Sequence, residues 1–297
     1  MTTARRIDLH THSTASDGTT SPAALVREAS QAGLDVLALT DHDTTAGWAA
    51  AAEALPAGLT LVRGAEISCV RGGVSLHLLA YLFDPAEPAL SSALGELRAS
   101  RRGRAEQMAR MLEADGTGVT WQRVQELAGG TVGRPHLAQA LIEQGHVGTI
   151  AQAFSPDWIG TSGRYWVAKW ELDALAAVRL VVGAGGVAVF AHPAAVGRGR
   201  TVADEVVADL AAAGLAGLEV DHDDHDEAAR AHLDGLAGEL GLLVTGGSDF
   251  HGTNKDVRLG DHSTTPGQYE RLIAASGFGV LAEDQLAEGQ LAEDQGG

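Results

Sequence analysis

A chain of 297 residues with 45% apolar side chains can bury a sizeable core, which excludes a disordered or fibrous protein. Its formal charge of −18 excludes broad coating of nucleic acid, and one cysteine, Cys69, excludes a disulfide scaffold. No apolar stretch reaches the roughly 18 residues of a membrane helix and the opening MTTARRIDLHTH lacks a signal-peptide core, so a soluble, cytoplasmic protein is expected.

In chain order, RRIDL reads as a first strand and ends in His10-Thr11-His12. Ser21-Pro22 is a helix start, with Pro in the first turn after a capping Ser, and Gly33 ends that helix. Residues 35–39 form the next strand, which ends in Thr40-Asp41-His42-Asp43. An alanine-rich helix runs from Thr44 to about Leu55 and stops at Pro56, and strands over 59–62 and 74–81 follow. This alternation predicts a largely parallel sheet with helices outside it. From Ala89 to about Ala168 the periodicity is helical and includes Trp121, Trp158 and Trp166, which predicts a helical insertion capping the sheet. The alternation resumes with a helix over 171–182, a strand over 187–190 and a helix over 202–213. A strand over 215–220, a helix over 226–240 and a strand over 242–245 complete it. The expected division is therefore an α/β unit over 1–83 and 170–282, with a helical cap over 84–169 between its halves. The final segment, 283–297, repeats LAEDQ, LAEGQ, LAEDQ and reads as an acidic, low-complexity tail that is disordered and takes no part in catalysis.

Nine metal-type side chains fall just after these apolar runs: His10, His12, Asp17, His42, Glu66, His77, His192, Asp249 and His251. They take six of the twelve histidines, whereas scattered histidines would fall mostly on helix faces and loops. His10-x-His12 and Asp249-x-His251 are period-two pairs, so each pair presents both side chains on one face of a strand. A single HxH is weak evidence and His77, inside VSLHLLAY, could alone be a core histidine; the complete set points to a hydrolytic metal centre at one mouth of an α/β barrel. Divalent ions would make that mouth positive inside an acidic shell, so a phosphate remains a suitable substrate. Asp41 is expected to orient a ligand imidazole from behind, and Gly246-Gly247-Ser248 to form a tight turn.

The stretch IDLHTHSTASDGTTSPAALVREASQAGLDVLALTDHDTTAG resembles the opening of the polymerase-and-histidinol-phosphatase (PHP) family of metal-dependent phosphoesterases. GGVAVFAHP, GLEVDH and TGGSDFHG resemble its later motifs, and the likeness extends to about residue 280. The resemblance implies a distorted (β/α)7 barrel with a helical insertion and two to three divalent ions, Mn²⁺, Zn²⁺ or Fe²⁺. It implies one ion held by His10, His12, Glu66 and Asp249, a second by His77 and His192 with Glu66 bridging, and a third by Asp17, His42 and His251. Asp17, Glu66, His192 and Asp249 are the positions on which catalysis is then expected to rest. Asp17 stands where many members have His, which makes the third site harder and suits Mn²⁺ or Fe²⁺.

Thr131-Val132-Gly133-Arg134-Pro135-His136 resembles a GRPH element of the family's nucleotide-phosphatase branch, so Arg134 is a candidate for gripping a phosphate. Lys169 is a second candidate, and His222, with His225, could meet the leaving group. The basic run Arg98, Arg101, Arg102, Arg104 and Arg110 reads as a solvated helix face from which one or two arginines reach a polyanion. The expected substrate is a nucleotide such as a 3′,5′-bisphosphate, or the 5′ end of a short RNA, with no membrane and no stable duplex binding. Alternatives are a histidinol-phosphate or other small-molecule phosphatase, a nucleotide-sensing module without catalysis, which predicts missing ligands, and a C–N hydrolase, which predicts a strand-end lysine absent here.

Overall fold

The computed structural model describes residues 5–128, 130–195 and 200–281, so the acidic tail from 283 lies outside the described residues. The strands are β1 (Ile7–Asp8), β2 (Val36–Leu39), β3 (Thr60–Arg71), β4 (Val74–Tyr81), β5 (Leu172–Asp173), β6 (Val187–Phe190), β7 (Gly217–Asp221) and β8 (Leu243–Gly246). Seven of them pair in the order β1-β2-β3-β4-β6-β7-β8 as a nearly closed barrel, while β5 pairs with the outer end of β3. Among the described residues ten helices accompany them: α1 (Pro22–Gln31), α2 (Trp48–Glu53), α3 (Pro88–Ala114), α4 (Trp121–Ala128), α5 (Arg134–Glu143), α6 (Ile150–Ala153), α7 (Ala174–Gly183), α8 (Asp204–Ala212), α9 (Glu227–Leu240) and α10 (Pro266–Ala274). None is long and apolar enough to cross a membrane.

The strands are apolar on both faces because both are buried. In β2, Val36 and Ala38 fill the barrel interior with Ile7, Leu9, Val62 and Val189, while Leu37 and Leu39 pack outward under the helices with Leu61, Leu78 and Phe190. Helix α1 starts as its sequence requires: Ser21 Oγ accepts from the Ala24 N–H at 3.3 Å, and Leu25, Val26 and Ala29 form its buried stripe.

The sheet departs from a parallel barrel at one place. β4 runs antiparallel to both β3 and β6, whereas β1-β2-β3 and β6-β7-β8 are parallel. The cause is the hairpin at Gly72-Gly73, whose φ values of 58° and 74° lie in the region open to glycine. β3 therefore continues past Val62, where the sequence predicted its end, to Arg71. Because β4 is reversed, His77 near its beginning arrives at the same barrel mouth as the carboxyl ends of the parallel strands, paired with Ser68.

The helical segment has its own core of Met108, Leu112, Val124, Leu137, Leu141 and Ile159. Its first helix is shared. Leu90, Leu94 and Leu97 of α3 belong to the barrel's outer core, Ala105, Met108 and Leu112 to the helical core, and Arg101 and Arg104 are buried between them. A boundary at residue 84 thus divides the sequence but not the packing, since one continuous helix joins both bodies.

The barrel closes where β8 meets β1. Asp249 N–H donates to His10 carbonyl at 2.8 Å and His12 N–H to Phe250 carbonyl at 2.9 Å, which sets the two period-two pairs side by side. A Cβ on Gly247 would lie 2.4 Å from His10 Cβ and 2.5 Å from His10 N, so the seam tolerates only glycine there. Gly247→Ala should force this seam apart and cost about 1–3 kcal/mol as an overpacked core does. Calorimetry should show a lower Tm; an unchanged Tm would mean that the seam spreads freely.

Candidate metal centre

His10, His12, Glu66 and Asp249 bring one donor atom each to a common point. His10 Nε2 and His12 Nε2 are 3.1 Å apart, lie 3.3 and 3.0 Å from Glu66 Oε2, and lie 3.4 and 3.3 Å from Asp249 Oδ1. Four donors tetrahedrally placed about 2.1 Å from a metal stand about 3.4 Å apart, so these spacings fit one divalent ion. All four side chains are buried.

Glu66 extends the centre. Its Oε1 is 2.7 Å from His77 Nδ1 and 3.0 Å from His192 Nε2, and its Oε2 is 3.2 Å from His42 Nδ1. The His42 and His77 Nδ1 atoms are buried and, despite these distances, are in no hydrogen bond. Nitrogens that approach a carboxylate without pointing at it are arranged as ligands of a shared ion. On the other side, Asp17 is 3.7 Å from His42 Nε2 and 3.4 Å from His251 Nε2, and these three with His12 form another donor group. His42 thus stands between two groups, one nitrogen toward each. Burial alone would raise the carboxyl groups of Glu66 and Asp17, but the imidazoles around them, His42 foremost, hold both well below the usual carboxylate range. Carboxyl groups shifted in this direction are the oxygen donors that hard cations take.

Several of these side chains are also fixed from behind. His10 Nδ1 lies 2.9 Å from Glu219 Oε1, and Glu219 Oε2 accepts from the His192 N–H at 2.8 Å. One carboxylate thereby ties ligands from β1 and β6. Burial favours protonation of Glu219, but His10, His222 and His192 hold its pKa down at about 2. His251 Nδ1 donates to Asp249 carbonyl at 2.8 Å, which leaves Nε2 for the centre. His192 and Asp249 have φ of 34° and 53°, backbone that costs energy for such residues and aims both side chains inward.

The sequence-predicted residues divide as follows. All nine ligand positions lie at this mouth. Asp41 does not touch an imidazole: it accepts from Ser13 N–H at 2.8 Å, Ser13 Oγ at 2.7 Å and Ser16 Oγ at 2.6 Å, and Ser16 Oγ is 3.4 Å from His12 Nδ1. Its action on His12 passes through Ser16. His222 is 1% exposed and turned away from the large cavity, with Nδ1 accepting from Asp224 N–H at 2.9 Å and Nε2 3.3 Å from Asp249 Oδ2. It lies behind Asp249, lines a separate cavity with Asp223, Asp224 and Lys255, and shares a donor group with His10 and Glu219. His225 is likewise committed, to Val220 carbonyl and Ala194 N–H. Lys255 contacts Asp249, and Lys169 Nζ lies 3.2 Å from Glu171. Two residues were missed, Glu219 and Asp43. Glu219 is the only charged side chain inside the apolar run of β7, a signal that was available. Asp43, at φ 55°, binds Ser68 and Arg101 and joins α3 to the mouth, which no local pattern reveals.

The mouth opens into a cavity of about 640 Å³ lined by Asp17, His42, His77 and His251 on the barrel side and by Arg101, Arg104, Arg134 and Lys169 on the helical side. Arg101 and Arg104 are 7% and 9% exposed, so this part of the basic run is not the solvated face its sequence suggested. Arg101 is paired with Asp43, but no carboxylate pairs with Arg104 or Arg134 among the described residues. Burial, then the charges of Arg134 and Arg101, push the Arg104 guanidinium down to about 9, and burial with Arg101 lowers Arg134 as well. This is a site with unmatched positive charge, buried at Arg104 and part-buried at Arg134, beside a cluster of potential metal ligands.

Residues 8–119 match the PHP domain model. A 3′,5′-nucleoside bisphosphate phosphatase of Chromobacterium violaceum is 36% identical over 270 residues, covering 86% of this chain and 91% of that protein. A 5′-3′ exoribonuclease of Haemophilus influenzae is 35% identical, covering 83% and 90% respectively. A solved structure described as a metal-dependent phosphoesterase of Bifidobacterium adolescentis superposes with a TM-score of 0.87 at 37% identity, covering 92% of this chain and 97% of that one.

Glu219→Gln keeps the side chain's shape but removes the charge that orients His10. It should weaken divalent-metal binding about 10- to 100-fold in a chelator-competition titration, with the fold retained. Wild-type affinity in this variant would remove Glu219 from the centre.

Proposed function

The chain belongs to the PHP family of metal-dependent phosphoesterases, and from that premise we propose that it hydrolyses a phosphate ester of a nucleotide or RNA. The proposed reaction is removal of a phosphate monoester from a 3′,5′-bisphosphate nucleotide, as named for one relative, or trimming of a short RNA from its 5′ end, as named for the other. The observation that carries this reading is the unpaired Arg104 and Arg134 in the cavity that also exposes the ligand cluster. A monoester with no second anion would leave the buried Arg104 and the part-buried Arg134 guanidiniums uncompensated.

Two to three ions fit the donor groups. His10, His12, Glu66 and Asp249 would hold one; His77 and His192 would share Glu66 with it for a second; Asp17, His42 and His251 would hold a third. Mn²⁺, Zn²⁺ or Fe²⁺ suits imidazole and carboxylate donors together. When bound, such ions supply a water of lowered pKa and neutralise charge on the phosphoryl oxygens. The protein's own groups do the remaining work. Arg101 fixes the wall of the cavity through Asp43, Arg104 and Arg134 hold substrate phosphate, and Lys169 adds charge beside them. Residues 84–169 act as a cap that supplies these cations, and residues 1–83 with 170–282 supply the ligands.

Elemental analysis of protein purified without chelator should give two to three ions per chain. Asp249→Asn and His192→Ala should each abolish phosphate release while circular dichroism stays that of wild type. Full activity in either, with metal content unchanged, would refute the assignment.

Arg134 is placed to bind the phosphate that is not cleaved. Arg134→Ala should cost about 1.5–3 kcal/mol, roughly 10- to 100-fold in kcat/KM, on a nucleoside bisphosphate, and much less on an aryl phosphate. Lys should restore little, because it lacks the two-pronged geometry. Equal losses on both substrates would put Arg134 at the reacting phosphate, and no loss on either would exclude it from the site.

A further inference from the structure

We infer that Trp166 is the platform on which the substrate's nucleobase stacks, so that this enzyme selects nucleotides over other phosphate esters by one aromatic face in the cap. The inference rests on the nucleotide reading above and names the residue that would enforce it.

The cavity has two chemically distinct ends. Asp17, His42, His77 and His251 line the barrel end, with Arg101 tied to Asp43 beside them. Arg134 lies farther into the cap, its guanidinium 4.9 Å over the Phe154 ring. The helical segment also brings apolar side chains to the lining: Ile150, Phe154, Trp166 and Val167. Phosphates belong at the first end and the cationic belt; an apolar, planar group belongs at the second. A volume of about 640 Å³ holds a nucleotide of that length.

Which aromatic face is free decides the residue. Phe154 is covered by Arg134. Trp158 stacks with Tyr165 at 5.9 Å and meets His146 at 5.3 Å, Trp121 is covered by Arg102, and Trp48 by Arg63 and Phe83. Trp166 is 41% exposed, lines the cavity, and has no ring or cation over it among the described residues. Trp170 is also exposed but does not line this cavity. Ser75 and Thr161 bring hydroxyls to the same lining, which turn to donate or accept equally. The one side-chain amide in the lining, Asn254, donates to Asp17 carbonyl. Base edges are therefore read weakly, and the stacking face gives the selectivity.

The test compares kcat/KM for a nucleoside 3′,5′-bisphosphate with that for 1-O-methylribose 3,5-bisphosphate, which keeps both phosphates and lacks the base. Trp166→Ala should lower the nucleotide-to-sugar ratio about 5- to 150-fold, and Trp166→Phe should restore most of it. An unchanged ratio in Trp166→Ala would overturn this inference while leaving the nucleotide reading in place. A preference above about 100-fold for one base over the other three would also overturn it, because stacking does not discriminate so far. Failure of the wild type to hydrolyse any nucleotide, with activity on aryl phosphates, would overturn both.

Discussion

The Glu66 carboxylate governs this structure. Five imidazole nitrogens lie within 3.3 Å of it: His10, His12, His42, His77 and His192, contributed by β4 and the segments after β1, β2 and β6. A buried carboxylate is costly unless its charge is met, and five imidazoles cannot meet it by hydrogen bonds alone. Divalent ions could, and a shared ion would account for the His42 and His77 nitrogens that lie close to an oxygen without hydrogen-bonding it. The seam between β8 and β1, closed by Gly247, and the reversed β4 both exist at positions that bring ligands to this one residue.

Behind the donors stands a second set of buried polar groups. Glu219 joins His10 to the backbone of His192, Ser16 connects Asp41 with His12, and His222 touches Asp249. Each fixes which nitrogen or oxygen faces the centre, and each spans strands that are distant in sequence. The left-handed backbone at His192 and Asp249 is held by the same network, so local strain is placed where the chemistry needs direction.

The helical segment contributes charge without contributing ligands. α3 is anchored in the barrel core by Leu90, Leu94 and Leu97 and in the cap core by Met108 and Leu112, with Arg101 and Arg104 at the junction. One rigid helix therefore fixes the distance between the cationic belt and the ligand cluster. A protein of net charge −18 can in this way present unmatched guanidiniums, Arg104 and Arg134, to one cavity.

The sequence by itself determined the alternation of strands and helices, the helical interruption after Tyr81 and the gathering of nine donor-type side chains at one mouth. These are legible because apolar period and residue type are local properties, and a donor stationed after an apolar run keeps that place in any barrel. The order of strands up to β3 followed from the same pattern. The reversal of β4 did not, since Gly72-Gly73 marks a turn without fixing which way the next strand pairs. The turning of Arg101 and Arg104 inward was also hidden: five arginines on one helix look alike until the helix is packed on both sides. His222 shows the opposite limit, a strand-end histidine of the right type whose nitrogens are taken up by Asp224 and Asp249. Only tertiary structure decides which donors share an ion and which supply support, because that depends on distances of about 3 Å between strands more than a hundred residues apart, and no local pattern encodes such distances.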